Sequence, residues 1–479
     1  GRGAAVGFRS ERGPVLLALM LSKGLIALDT TVLATAVPSV VREIGAFEQF
    51  PWLFSAYMLA QAVSVPIYSK LADTKGRKPI ILVGVGLFLL GSILCGAAWS
   101  MGALIAFRVV QGLGAGAVQP ISTTIVGDIY TLPERAKVQG YLASVWAVSS
   151  VAGPALGGVF SQFASWRWIF WVNVPLCLVA GWTLIRFYRE EIHRRYHRID
   201  YSGAAVLATG LAAGLLALLR GGGGWPWLSW PSLTAIGVAA LALGLFPLVE
   251  RRAAEPILEL AILGRRLIRT TTAISLAVGA LLVGITTYAP TYLQTSIGLT
   301  PLLSGAAVAV LALVWPISSA LSGRVYMRRG FRQTVLTGAA VATTGFGALA
   351  AGSHWPSLAM VALACCVIGL GLGFTAAPSL IAAQSSVRWD ERGVVTGLNS
   401  FARTVGSATG VAAFGAISNN LIARGAGAND YATIVRASTW VFAAAAVLAV
   451  AMWLTALALP RGLPDDPSYR PWRPSAPAS

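Results

Sequence analysis

Four ionisable side chains interrupt the long apolar stretches of this chain: Lys23, Asp29, Arg108 and Arg403. Within a membrane each such group costs roughly 2.5–3.5 kcal/mol, which makes each of them a candidate functional residue. Asp29 is the only acid among them. A nearby guanidinium favours the charged carboxylate, whereas burial favours the neutral form. A carboxyl group held beside Arg108 can therefore act as a proton site, and the alternative is a static buried ion pair.

The depths of Asp29 and Arg108 make contact between them possible. At 1.5 Å per residue, Asp29 lies about 13 Å below the predicted outer end of its helix, and Arg108 lies about 10 Å below the outer end of another. Lys23 is about 120° away from Asp29 around the same helix. It either extends toward the cytoplasmic end or lines a cavity. Arg403 either lines a polar cavity or packs against backbone carbonyls.

The elements that must position these groups are apolar runs of about 20 residues, the length that crosses a bilayer. Hydrophobic residues make up 56% of the chain and charged residues 11%, against about 45–50% and 25% in soluble domains, which argues against a soluble enzyme. We predict fourteen transmembrane helices, at residues 15–38, 51–69, 79–99, 102–127, 138–161, 168–188, 201–219, 232–250, 270–293, 302–322, 333–352, 356–384, 394–418 and 432–459. An even number places both termini on one side.

The basic residues sort by side of the membrane. The chain has 36 Lys and Arg against 18 Asp and Glu, an excess that on a soluble protein suggests nucleic-acid binding. In the predicted topology 28 of the 36 lie on the side of the termini and five on the other. The positive-inside rule then places both termini in the cytoplasm, and nucleic acid is not needed to explain the charge.

Two stretches of the chain align at a shift of 257 residues without a gap. "VVQGLGAGAVQP" begins at Val109 and "CVIGLGLGFTAAP" at Cys366, and the loop pair Glu134 and Arg135 falls on Glu391 and Arg392. Paired six-helix halves that face each other across a central path are a transporter design. We predict an N-terminal bundle at 1–188, a linker with two extra helices at 189–269, a C-terminal bundle at 270–460 and a cytoplasmic tail at 461–479.

The segment "VAGPALGG" predicts a bendable, closely packed seam in the fifth helix. Gly153 and Pro154 weaken the helical hydrogen-bond ladder, and Gly157 and Gly158 allow a neighbouring helix to approach closely. Simple packing is the alternative reading.

The loop "KLADTKGRKP" resembles the signature loop of the major facilitator superfamily, although Ser69 replaces its usual first glycine. The segment "LIAFRVVQGLGAG" resembles the helix-four motif of the superfamily, and "VAGPALGG" resembles the helix-five motif of its drug antiporters. The segments "LDTTVLATAVP" and "WRWIFWVNVP" are similar to those typical of the fourteen-helix drug:H+ antiporters. The resemblance covers the whole chain. It implies that Asp29 and Arg108 couple transport to protons. For conformational switching, the motifs point to Asp73, Gly76, Arg77, Gly153, Pro154, Gly157 and Gly158.

We therefore expect an all-α polytopic membrane protein with the major facilitator fold, two six-helix bundles plus two extra helices. The expected function is proton-coupled export of amphipathic or lipophilic compounds (multidrug efflux) by alternating access, without a cofactor other than the proton. The alternative cargo is an endogenous lipid, siderophore or metabolite. We expect a monomer in a bacterial cytoplasmic membrane.

The cargo-lining candidates are mainly aromatic and polar side chains at membrane depth. They are Lys23, Trp52, Tyr57, Trp146, Tyr288, Tyr292, Trp315, Asn399 and Arg403. No metal site is predicted. A membrane-embedded enzyme is a remote alternative, because all three histidines lie outside the predicted spans.

Overall fold

The computed structural model describes residues 7–129, 132–190, 198, 200–221, 225–256, 260–387, 392–427 and 429–469. Apart from one isolated bridge, regular structure in these ranges is helical. The helices are α1 (Gly13–Ile44), α2 (Pro51–Lys75), α3 (Arg77–Gly96), α4 (Met101–Ile129), α5 (Leu132–Phe163), α6 (Trp168–Trp171), α7 (Asn173–Phe187), α8 (Tyr201–Arg220), α9 (Trp230–Arg252), α10 (Arg266–Ser296), α11 (Pro301–Arg329), α12 (Phe331–Gly352), α13 (Leu358–Ser385), α14 (Arg392–Arg424) and α15 (Tyr431–Ala456).

Every predicted apolar run corresponds to a helical segment. The run at 168–188 corresponds to α6 and α7, which together form one segment, Trp168–Phe187. Within the described residues, twelve segments are long and apolar enough to cross a membrane. The two long helices outside this set are α2 and α14, which pack against each other. Helices that face protein need less apolar surface than helices that face lipid. The count of fourteen crossings stays a prediction.

Prolines and glycines set several helix ends. Pro14 and Pro51 lie in the first turns of α1 and α2, where a missing N–H breaks no intrahelical bond. Gly45 follows α1 with a φ of 72°, a conformation that side chains with a Cβ rarely adopt. The predicted end of the first helix at Pro38 is wrong, because α1 continues through this proline to Ile44.

The two halves repeat the same glycine contacts. Helices α4 and α13 begin at residues 101 and 358, which preserves the 257-residue offset. Gly112 lies against the carbonyl of Tyr57 in α2, and Gly369 lies against the carbonyl of Leu311 in α11. A Cβ at either glycine would overlap a neighbouring backbone, so the two helix pairs approach closely in the same way.

The extra hairpin α8–α9 packs beside the junction of the two halves. The halves meet where α5 contacts α11 and where α2 contacts α14. Helix α8 contacts both α2 and α14, and the amide of Asn420 in α14 donates to the carbonyl of Gly221 at 3.2 Å. The side chains where the three helices meet are Leu59, Ala62, Leu211, Leu215, Val405, Ala408 and Thr409.

Candidate functional site

Asp29 and Arg108 form a direct ion pair inside the N-terminal half. Nη1 of Arg108 lies 2.5 Å from Oδ2 of Asp29, and the residues are 3% and 1% exposed. The pair joins α1 to α4, which contact each other directly. Burying two charges is favourable only if they are paired and their remaining hydrogen-bonding groups are satisfied.

Additional buried side chains complete the hydrogen bonding of this pair. Gln111 in α4 accepts a bond from Nη1 of Arg108 at 2.9 Å and donates to Oδ1 of Asp29 at 3.2 Å. The same amide donates to Oγ of Ser92 in α3 at 3.0 Å, and Asn173 in α7 donates to that hydroxyl at 3.5 Å. The result is a buried polar network that links four helices through their side chains.

Our sequence reading missed Gln111, Ser92 and Asn173. Gln111 is three residues after Arg108 and so lies on the same side of α4, which was the one available signal. Neutral polar residues are common in the helices of this chain, whereas a buried charge stands out. The interaction of Ser92 and Asn173 with this site depends on how α3 and α7 pack against α4 and α1.

Arg108 also connects the ion pair to the junction of the two halves. Its Nε donates to the carbonyl of Leu53 in α2 at 2.9 Å, and its guanidinium carbon lies 4.1 Å from the ring centre of Tyr57. Two residues after Leu53, the hydroxyl of Ser55 donates to the carbonyl of Ala408 in α14 at 3.0 Å. A movement of the arginine therefore acts on a helix that contacts the other half.

The turn between α2 and α3 is fixed by a carboxylate from a distant part of the chain. Gly76 has a φ of 100°, which a side chain would disfavour. Glu190 accepts bonds from the backbone N–H groups of Arg77, at 2.5 Å, and Lys78, at 3.1 Å. It thus caps the N-terminus of α3, where a negative charge is favourable. The side chain of Asp73 lies outside the described residues.

We expect Glu190→Ala to lower the free energy of unfolding by about 1–3 kcal/mol, because two backbone donors lose a charged acceptor. Thermal unfolding of the purified protein in detergent measures the effect. The matched control is Glu11→Ala, which removes an exposed carboxylate before α1. Equal melting temperatures for the two variants would contradict the proposed capping role.

The glycine segment of α5 contacts both halves. A Cβ at Gly153 would overlap the hydroxyl of Thr31 in α1, and one at Gly157 would overlap that of Thr35. Gly158 faces α11 instead, where a Cβ would lie 2.9 Å from Cα of Leu302. Pro154 packs against Gly305, which also belongs to α11. The structure thus places the predicted seam where the second half of α5 meets α1 in its own half and α11 in the other.

The remaining charged candidates occupy different helices. Lys23 is half-buried in α1. Arg403 in α14 is also half-buried, and its guanidinium carbon lies 5.1 Å from the ring centre of Trp315 in α11. Asn399 lies one turn before Arg403 and is half-buried as well.

The aromatic candidates divide into packed and accessible side chains. Tyr57, Tyr288 and Tyr292 are buried, and the hydroxyls of Tyr288 and Tyr292 donate to backbone carbonyls at 3.2 and 2.6 Å. They contribute to the core in this conformation. Trp146 is 39% exposed, and Trp52 and Trp315 are half-buried.

Two equivalent helical bundles, the first of which holds a buried ion pair, are the architecture of a membrane transporter of the secondary type. A sequence model of the Major Facilitator Superfamily matches residues 19–411. The chain belongs to this superfamily.

The chain is similar to several named transporters. It is 33% identical over 409 residues to Multidrug resistance protein 3 of Bacillus subtilis, covering 85% of this chain and 80% of that one. It is 31% identical to Multidrug transporter protein MdtP of the same organism, covering 86% and 76%. It is 30% identical to Efflux pump dotC of Dothistroma septosporum, covering 83% and 70%.

Solved structures share the fold at low sequence identity. A peptide transporter POT in complex with sulfate has a TM-score of 0.67 at 16% identity and covers 92% of this chain and 94% of that chain. A D-xylose-proton symporter has a TM-score of 0.65 at 14% identity, with coverage of 93% and 98%. At these identities the likeness concerns the arrangement of helices alone.

Proposed function

We propose that this transporter exports amphipathic or lipophilic compounds from the cytoplasm in exchange for protons bound at Asp29. The proposal of proton coupling rests on the buried ion pair between Asp29 and Arg108, the one pairing that involves an acid deep inside a described span. The printed names of the relatives, two of them multidrug proteins and one an efflux pump, support the cargo class.

Protonation of Asp29 would remove the negative partner of a buried guanidinium. A buried charge that loses its partner costs about 3–5 kcal/mol, so Arg108 cannot keep its present surroundings unchanged. Because its Nε is bonded to the carbonyl of Leu53 in α2, the relaxation acts on a helix at the junction of the halves. Proton binding and helix movement are coupled in this way.

The proton gradient supplies enough energy for useful export. One proton crossing 100 mV releases about 2.3 kcal/mol, which sustains a cargo gradient of roughly fifty-fold. In our proposal this energy resets the conformation after each release of cargo.

Contacts between the halves support an arrangement that is closed on the side opposite the termini. Gly158 meets Leu302 there, and the amide of Gln294 in α10 donates to the carbonyl of Thr35 at 3.3 Å. With fourteen crossings and both termini in the cytoplasm, this side is the outer one. We therefore propose an inward-facing state of a monomer in a bacterial cytoplasmic membrane.

The proposed organisation keeps the predicted divisions. Residues 1–188 and 270–460 form the two six-helix bundles, residues 189–269 form the linker with the extra hairpin, and 461–479 form a cytoplasmic tail. The coupling ion is the proton, and no bound cofactor takes part.

Everted membrane vesicles provide the direct test. Vesicles that contain the protein should accumulate a lipophilic fluorescent dye when respiration acidifies the lumen, and a protonophore should release the dye. The control is vesicles from the same strain without the protein. Uptake that survives full collapse of the proton gradient would contradict proton coupling.

A second cargo class is an endogenous lipid, siderophore or metabolite. Mass spectrometry of molecules that copurify in mild detergent distinguishes the two classes. A single stoichiometric metabolite would favour the second one.

A further inference from the structure

Arg403 has no acidic counterpart in its half of the protein. Between residues 266 and 456 the sequence contains three acids, Asp390, Glu391 and Asp430. Arg403 lies about 16 Å along α14 from the start of the helix at Arg392, and two of these acids precede that start. Among the described residues, no carboxylate lies within 4.0 Å of its guanidinium. The guanidinium lies over the ring of Trp315 instead.

The backbone around Arg403 is held rigidly. Its carbonyl lies against Gly279 in α10, where a Cβ would overlap it, and Gly406 lies in the same way against the carbonyl of Leu276. The hydroxyl of Ser407 also donates to the carbonyl of Arg403, at 2.9 Å. The guanidinium therefore projects from a fixed point rather than from a mobile loop.

The direction of the side chain places it in the space between two helices. Helix α14 packs against α10 and α2, whereas α11 packs against α13 and α5. The guanidinium of Arg403 extends from α14 to the ring of Trp315 in α11. It therefore lies between these two helices. Both side chains are half-buried and so keep part of their surface exposed.

We propose that Arg403 binds the carboxylate of an anionic amphipathic cargo, with Trp315 holding the guanidinium in place and Asn399 adding a donor. An isolated positive charge at membrane depth is costly, and an anion supplies the missing counter-charge. The N–H groups of a guanidinium lie in its plane, so an arginine positioned over a ring still offers its edge to a carboxylate. Asn399 is one turn away on the same side of α14.

The charge of the interior favours the same class of cargo. The deep ionisable groups are three bases and one acid, and that acid already accepts the charge of Arg108. A cationic cargo finds no carboxylate other than Asp29 in the predicted apolar runs of either half, whereas an anion finds Arg403. This inference refines the proposed function. Binding of the anion can be tested separately, whereas export of the anion depends on the proposed function.

Binding of three matched probes tests the site. The purified full chain in lipid nanodiscs is titrated with 4-(1-pyrenyl)butanoate, with the corresponding alcohol and with the corresponding trimethylammonium compound. We expect the carboxylate to bind at least tenfold more tightly than the cation. Arg403→Gln should weaken binding of the carboxylate about tenfold and leave that of the alcohol unchanged, while Arg403→Lys should restore part of it.

Arg436→Gln is the matched control, because it removes an exposed arginine from α15. Equal affinity for carboxylate and cation, an unchanged carboxylate affinity in Arg403→Gln, or no binding of any probe would overturn the anion site. Protonophore-sensitive export of the alcohol by Arg403→Gln would then still support the proposed function. Arg403-dependent binding of the carboxylate without export of any probe would support the site and contradict the proposed function.

Discussion

Asp29→Asn is expected to abolish proton-driven transport, with a loss of at least a hundredfold in initial rate, while the protein remains folded. Asparagine cannot take up and release a proton near neutral pH, but its amide oxygen can still accept a bond from Arg108. The guanidinium also retains its bonds to the carbonyl of Leu53 and the side chain of Gln111. The measurement is ΔpH-driven efflux from proteoliposomes, with thermal unfolding of the same samples.

A double variant separates loss of coupling from loss of stability. Asp29→Asn alone leaves a buried positive charge without its partner and should lower the melting temperature. Adding Arg108→Gln removes that charge, so stability should recover while transport does not. The control is Glu43→Gln, which breaks a partly exposed pair with Arg167, 3.4 Å apart, and should change little. Full ΔpH-driven efflux by Asp29→Asn would exclude the proton role.

Gly158→Leu should reduce transport at least tenfold by preventing closure of the contact between α5 and α11, which we propose to be the outer one. A Cβ at this position lies 2.9 Å from Cα and N of Leu302, which are backbone atoms that cannot rotate away. Overpacking of this kind costs about 1–3 kcal/mol, and the cost applies only to the conformation in which α5 and α11 touch here. The variant should therefore populate the opposite conformation.

Labelling of a cysteine reports that shift. Ser304 in α11 is buried at the contact, so Ser304→Cys should react with an external maleimide faster when Gly158→Leu is also present. The control is Gly237→Leu in α9, where a Cβ would meet no atom within 4 Å. If Gly158→Leu lowered expression and transport by the same factor without changing the labelling, its role would be packing alone.

Much of the helical arrangement could be predicted because apolar length is a strong signal. Each predicted run corresponds to a helix, and the 257-residue offset reappears in the starts of α4 and α13. Helix ends were less predictable, since Pro38 suggested an end that the packing of α1 overrides. Helices α2 and α14 are less apolar than the other long helices, and they pack against each other. This contact could not be predicted from the sequence of either helix alone.

Within the candidate site, the charged residues could be predicted and their neutral partners could not. The depths of Asp29 and Arg108 suggested contact, and the structure places them 2.5 Å apart. Nothing local marks Asn173 as a neighbour of Ser92, or Glu190 as the cap of α3, because these contacts join segments more than 80 residues apart. Tyr288 and Tyr292 were expected to line a cargo cavity, but both are buried. Sequence alone could not decide this, because an aromatic residue at membrane depth is equally compatible with a packed core and with a cavity.

The extra hairpin sets a mechanical condition on turnover. Helix α8 contacts α2 in one half and α14 in the other, so rocking of the halves must shear α8 along at least one of them. The side chains where these helices meet are mostly Leu, Val and Ala, which make no side-chain hydrogen bonds that a sliding motion would have to break. The hydrogen bond from Asn420 to the carbonyl of Gly221 lies at the end of α8, so we expect such a motion either to break this bond or to turn about it.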